Sequence, residues 1–247
     1  MEEWLEGEVV KNVKWTKNLA SLKIKAKINN HQAGQFTRIG LKVNDDFITR
    51  SYSYASAPKD EILEIIYVNI PNGKLSPILH NLEIGDKVSV MQQAIGYFTL
   101  DEIPDGENLW MLATGTALGV FLAILETSIP WKRFKKVILI HSVRYAEELI
   151  YQDLIAEMKQ RYPDQFIYLN SVTRSKVKGS FNFRIPEGLS SKKFQGSSHI
   201  EINEDSQFMI CGNPEMIKET TEVLKSFGLN KNRRAKPGNI TVERYWV

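Results

Sequence analysis

Two spacings of apolar residues divide the chain. Up to about residue 100, short runs rich in branched and aromatic side chains, at 22–28, 36–43, 48–55, 63–69 and 87–91, alternate with polar turn residues. This is the two-residue period of β-strands. The turns carry Asn-Asp at 44–45, Pro-Asn-Gly at 71–73 and Gly-Asp at 85–86, residues that favour tight reversal. One short helix is predicted at 76–82, with Ser76 as its cap and Pro77 in its first turn. Many short antiparallel strands with one small helix predict a closed β-barrel.

Beyond residue 105 the grammar becomes strand, loop, helix. LWMLA leads to a helix at 119–126, and VILIHSV to one at 146–161. FIYLNSV follows, and QFMIC passes through GNP into a helix at 215–227. Such alternation predicts a parallel α/β sheet, whose ligand crevice lies beyond the carboxyl ends of the strands. The fold class expected is therefore two-domain, an antiparallel β-barrel over 1–100 followed by an α/β nucleotide-binding domain over 101–247. DEIPDGEN, at 101–108, marks the boundary. The stretch LWMLATGTALGVFLAIL, 109–125, has the length of a short membrane span. Its centre, Thr114-Gly115-Thr116, is a turn signature and no cationic anchors flank it, so it reads as strand, turn and buried helix.

Composition narrows the function. With 247 residues and a net charge of +3, the chain lacks the basic excess of a nucleic-acid binder. MEEWLEGEVV is acidic and has no apolar run, so no secretory signal is expected and the protein is placed in the cytoplasm. A single cysteine, Cys211, excludes an internal disulfide and any Cys-rich metal or iron–sulfur site. His31, His80, His141 and His199 lack metal-ligand spacing, with His141 ending a buried strand, so no metal is expected. A monomer is the default.

Three stretches carry candidate chemistry. In RSYSYASAP, 50–58, Arg50, Tyr52 and Tyr54 share one face of a strand, with Ser51 and Ser53 on the other. Either this is an edge strand with amphipathic tyrosines and a solvated arginine, or it presents a guanidinium fork and flat rings to an anionic, planar ligand. PNGKLSP turns from a strand into a helix and aims the N–H groups of Lys74, Leu75 and Ser76 outward. It is either a pyrophosphate site or simply a capped hairpin loop. ITVERYWV ends the chain on Tyr245 and Trp246, which either pack as core or stack on a ligand.

RSYSYASAP, PNGKLSP, LEIGDKVSV with Gly96-Tyr97-Phe98, ATGTALG, CGNPEM and the terminal VERYW occur in the order of the ferredoxin–NADP⁺ reductase family. Over its whole length the chain resembles the bacterial single-chain flavodoxin/ferredoxin–NADP⁺ reductases. The resemblance implies that the barrel binds FAD. Arg50 would meet the pyrophosphate, Tyr52 would stack on the isoalloxazine and Ser53 would hydrogen-bond near N5, with Tyr54 and Tyr67 also in the FAD set. Lys74, Leu75 and Ser76 would complete the pyrophosphate cradle, and Thr116 would approach from the second domain. Tyr245 would cover the other flavin face, its tail swinging aside for the nicotinamide, and Trp246 would stack on the adenine of a bent FAD. Ser53, Cys211, Glu243 and Tyr245 form the implied catalytic set. Cys211 also reads as a small buried strand residue, and Glu243 as a surface carboxylate.

The second domain is implied to bind NADP(H). GTALG departs from G-x-G-x-x-G, with Ala117 where relatives often have glycine and Val120 where proline is common. Gly115 and Gly119 still permit close backbone approach. A 2′-phosphate calls for arginine forks, whereas a free ribose diol calls for a carboxylate. Arg144 follows VILIHSV, Thr173 and Arg174 follow FIYLNSV, and Arg184 lies in FRIP, with no acid beside them until Glu147. Three arginines so placed favour NADP over NAD, although each alone reads as a solvated side chain.

The implied reaction exchanges a hydride with NADP(H) and single electrons with ferredoxin or flavodoxin through FAD. The cationic run KNRRAKPG, 231–238, is either a solvated surface or a guide for an acidic carrier. Rival readings are an NAD(P)H-dependent reductase of free flavin, ferric complexes or a cytochrome, and a non-catalytic flavin- or nucleotide-binding module.

Overall fold

The computed structural model describes residues 3–58 and 61–245. The chain divides into two compact units. One comprises the residues up to Thr99 together with Leu122–Thr127; the other comprises Leu100–Phe121 and the residues from Ser128 onward.

The first unit is a six-stranded antiparallel sheet built from β1 (Trp4–Lys14), β2 (Leu19–Lys25), β3 (Phe36–Val43), β4 (Asp46–Ser53), β5 (Ile62–Val68) and β6 (Lys87–Met91), in the order β4-β3-β6-β1-β2-β5. The chain just past edge strand β4 returns to the opposite edge. Tyr54 bridges Ile65, and the Ala55 N–H donates to the Glu64 carbonyl at 2.8 Å. That return curls the sheet around a core of Val9, Leu22, Ile24, Ile39, Leu63, Ile65 and Val90. Strand β1 falls outside the expected strands. Its apolar positions are interrupted by Glu6, Gly7 and Glu8, and a bulge between Val9 and Lys11 breaks the two-residue period.

Helix α1 (Ser76–Asn81) lies where expected, but Ser76 does not cap it. The Ser76 hydroxyl instead accepts the Ile70 N–H at 3.0 Å and closes the 70–76 loop. Asn12 terminates the helix, its amide donating to the carbonyls of Leu79 and Leu82 at 2.9 Å each.

The second unit is a parallel sheet of β7 (Asn108–Thr114), β8 (Lys136–Val143), β9 (Phe166–Val172), β10 (Ser206–Gly212) and β11 (Ile240–Arg244), in the order β11-β10-β7-β8-β9. The three central strands β7, β8 and β10 are buried almost end to end, as continuous apolar runs such as VILI require when both faces are covered. The helices of this unit are α3 (Ile129–Arg133), α4 (Gln152–Arg161), α5 (Ile185–Ser190), α6 (Lys193–Ser198) and α7 (Pro214–Ser226), while α2 (Leu118–Leu125) begins in this unit and from Leu122 belongs to the first. One face packs Trp110, Ile138, Phe208 and Ile210 against Phe183, Phe194, Met216 and Leu224.

The helix expected at 146–161 is broken. A 3-10 turn covers Ala146–Glu148, Tyr151 takes a left-handed φ of 58°, and α4 starts only at Gln152. The Glu148 carboxylate turns back to accept the N–H groups of Arg144 and Tyr145, capping the start of the 3-10 turn. Among the described residues no helix is long and apolar enough to cross a membrane.

Candidate active site

On β4 the RSYSYASAP residues grade from solvent to core. Arg50 is exposed, its Nη1 donating to the Thr49 carbonyl at 2.7 Å. Tyr52 and Ser53 are half-buried, and burial pushes the Tyr52 phenol up to about 12. Tyr54 and Tyr67, the other tyrosines of the expected FAD set, lie deeper. Both side chains lie in the core, Tyr54 with its ring centre 4.1 Å from that of His31 in a tilted pair and Tyr67 donating its hydroxyl to Asn12 at 3.1 Å. Neither ring offers a face to a ligand.

In the 70–76 loop Lys74 is exposed while the Leu75 side chain is buried. The Gly73 N–H is used by the Ile70 carbonyl. The N–H groups of Lys74, Leu75 and Ser76 meet no acceptor among the described residues. Three consecutive unpaired donors beside a lysine suit a pyrophosphate.

In the second unit, order β11-β10-β7-β8-β9 places a topological switch between β7 and β10, where doubly wound sheets open a crevice. The two strand ends are tied there, the Asn213 N–H donating to Thr114 Oγ1 at 3.0 Å. Asn213 also caps α7, its side chain accepting the Glu215 and Met216 N–H groups. Gly212 has φ +133°, and a Cβ there would fall 2.1 Å from Thr114 Oγ1. Gly115 has φ +55° with nothing within 4 Å of a built Cβ, so a ligand can approach its backbone closely. Thr116 is half-buried in the same turn.

The Gly115 carbonyl is held 3.0 Å from Nε2 of His141, a fully buried side chain within β8. Burial lowers the His141 pKa to about 4. The unfolded chain thus binds this proton more readily than the native one between the two pKa values. The resulting stability is full above the unfolded value and is lost as pH falls toward the folded one. Chemical denaturation is expected to show roughly 2 kcal/mol less stability from this group at pH 5 than at pH 7. A His141→Leu variant should lack that component of the slope.

Beside the switch, Cys211 on β10 and Glu243 on β11 stand in register, with Sγ 3.9 Å from Oε2. Burial, reinforced by the Glu243 charge, raises the thiol well above its usual range, and the Tyr245 side chain hydrogen-bonds the same sulfur. Cys211 is therefore a protonated thiol rather than a nucleophile. The Tyr245 N–H reaches the Gly212 carbonyl at 3.5 Å, which anchors the tail at the CGN turn. Trp246 lies outside the described residues.

At the carboxyl ends of β8 and β9, Arg144 and Arg174 come together. The Arg174 N–H donates to the Arg144 carbonyl, and Thr173 donates through both N–H and hydroxyl to the Val143 carbonyl. The Arg174 guanidinium sits 5.9 Å from the centre of the exposed Tyr145 ring, a partner the sequence reading missed. Arg184 is engaged elsewhere, pairing with Glu215 at 3.6 Å and Glu219 at 3.3 Å on α7. In the KNRRAKPG run Arg234 is bound by Glu102, so that run is less cationic than its composition suggests. Among the described residues no cluster of His, Cys, Asp and Glu is arranged to hold a metal.

Residues 6–98 match the oxidoreductase FAD-binding domain family and residues 111–222 the oxidoreductase NAD-binding domain family. The flavodoxin/ferredoxin–NADP reductases of Shigella flexneri and Escherichia coli K12 are each 41% identical to the chain, over all of both sequences. The chain belongs to the ferredoxin (flavodoxin)–NADP⁺ reductase family. A ferredoxin NADP⁺ reductase from Neisseria gonorrhoeae, solved with bound FAD and NADP, superposes with a TM-score of 0.93 at 33% identity, covering all of both chains.

Proposed function

We propose that the protein works as an FAD-dependent ferredoxin/flavodoxin–NADP⁺ reductase, passing electrons between NADP(H) and a one-electron carrier. Full-length relatives at 41% identity favour this over reduction of free flavin, ferric complexes or a cytochrome, and over a non-catalytic module. The observation that carries the reading is the switch between β7 and β10, where the open Gly115 turn, the tied Thr114–Asn213 ends and the Cys211–Glu243 pair converge.

The residues fit both cofactors. In the first unit, the donors of Lys74, Leu75 and Ser76 with the Arg50 guanidinium are proposed to bind the FAD pyrophosphate. Tyr52 is proposed to stack on the isoalloxazine and Ser53 to hydrogen-bond its edge, with the buried Tyr54 and Tyr67 fixing the strands behind them. When bound, FAD supplies the interconversion of two-electron and one-electron chemistry.

In the second unit, Thr116 and Tyr245 are assigned to the FAD set, and Arg144, Thr173 and Arg174 to the 2′-phosphate of NADP(H). Arg184 joins them only by leaving Glu215 and Glu219, an exposed pairing that costs little to break. Cys211 keeps its proton on Sγ and donates it to Glu243 Oε2, which fixes the carboxylate at the edge where a nicotinamide must be oriented. Such positioning is worth several powers of ten in rate. The carrier is proposed to be ferredoxin or flavodoxin, met by a cytoplasmic monomer without nucleic acid.

Anaerobic addition of NADPH to the holoprotein is expected to bleach the visible flavin bands, with NADH far less effective. A flavin spectrum unchanged by NADPH would refute the assignment.

A further inference from the structure

The family reading leaves one buried titratable side chain on the second sheet without a task. His141 sits in register between Ala113 of β7 and Asn170 of β9, with no exposed surface. Its Nε2 lies 3.0 Å from the Gly115 carbonyl, while Nδ1 has no partner. A carbonyl can only accept, so Nε2 carries the proton and Nδ1 is a bare acceptor. A buried ring with one unsatisfied nitrogen is a poor choice for filling space between strands, where an apolar side chain packs without that penalty. The hydrogen bond that remains ends on a specific target, the carbonyl of a residue at φ +55° whose other side is open to a ligand.

We propose that His141 is a positioning residue for hydride transfer: its Nε2–H clamps the Gly115 carbonyl and so fixes the Gly115–Ala117 turn against which the dinucleotide docks. The inference rests on the proposed binding of NADP(H) by the second unit, at the switch where the Gly115 turn lies open. Gly115 lacks a side chain and takes a left-handed backbone, so its own chemistry gives the turn little rigidity. The 3-10 turn and α2 follow directly, with the Leu118 N–H bonded to the Gly115 and Thr116 carbonyls. Tilting Gly115 therefore also moves the start of α2. A neutral imidazole does this work without placing a charge beside the turn, consistent with burial holding its pKa low.

The test uses the FAD-loaded protein. In His141→Leu, kcat/KM is expected to fall roughly 10- to 100-fold for NADPH and NADH alike, because both share the part of the dinucleotide near this turn. The NADPH-to-NADH preference stays unchanged, as does photochemical reduction of the bound FAD, which needs no nucleotide. His141→Gln, whose amide nitrogen reaches the same carbonyl, is expected to recover most of the loss. A Leu variant that is merely less heat-stable but turns over NADPH normally would overturn the proposal. Nitrogen-15 spectra of the wild-type holoprotein give a measurement independent of any variant's folding. They should show the Nε2–H tautomer at neutral pH, and an Nδ1–H tautomer would equally overturn it. Failure of the wild-type protein to be reduced by NADPH would sink the reductase assignment itself. A normal wild type with an unimpaired Leu variant would sink only the role of His141.

Discussion

Gly212→Ala is expected to cost about 4 kcal/mol of stability and to slow reduction by NADPH at least about tenfold. Three effects add at this position. A φ of +133° is strained for any residue with a Cβ. That Cβ would fall 2.1 Å from Thr114 Oγ1, far inside contact distance, with the Thr114 N also tight at 3.1 Å. Thr114 Oγ1 would also have to move away from the Asn213 N–H, untying β7 from β10 at the switch. The CGN turn further carries the cap of α7 and the carbonyl that receives the Tyr245 N–H, so the damage extends to the catalytic edge. Denaturant unfolding measures the first effect and stopped-flow reduction the second. A stability loss below about 1 kcal/mol would mean that the turn relaxes without strain.

The second large effect concerns cofactor choice. Replacing Arg144 and Arg174 together by alanine is expected to lower kcat/KM for NADPH by about 10²- to 10³-fold while leaving NADH within about threefold. Charge-assisted hydrogen bonds to a phosphate are worth about 1.5–3 kcal/mol each. The two residues are already gathered, their backbones bonded at the ends of β8 and β9, with the Arg174 guanidinium beside the Tyr145 ring. The neighbouring carboxylate, Glu148, is occupied by the N–H groups of Arg144 and Tyr145 and does not compete for the guanidinium groups through the same oxygen. Arg184→Ala should have a smaller effect, since that side chain must first leave Glu215 and Glu219. Equal losses for NADPH and NADH in the double variant would place the discrimination elsewhere.

Apolar periodicity alone located most strands and helices of both units, because each element's buried face is set by local residue order. VILIHSV and QFMIC read directly as buried parallel strands, and PNGKLSP as a loop entering a short helix. Strand β1 escaped because its bulge between Val9 and Lys11 breaks the two-residue period. The break at Tyr151 escaped because no glycine or proline marks it in 146–152. The order of motifs was likewise enough to mark the family and its cofactors.

What the sequence could not settle was which members of each motif face outward. Alternation put Arg50, Tyr52 and Tyr54 on one face, but the curl that carries Tyr54 onto Ile65 buries that ring while Arg50 stays in solvent. Three arginines looked equivalent along the chain, yet only the packing of α5 beside α7 gives Arg184 two acidic partners. The His141 bond to Gly115 spans two strands and was invisible from residue order. Local patterns are governed by neighbouring residues, and so the chain alone fixes elements and their order. Burial, ion pairing and clamping arise between segments distant in sequence, where only the folded chain decides.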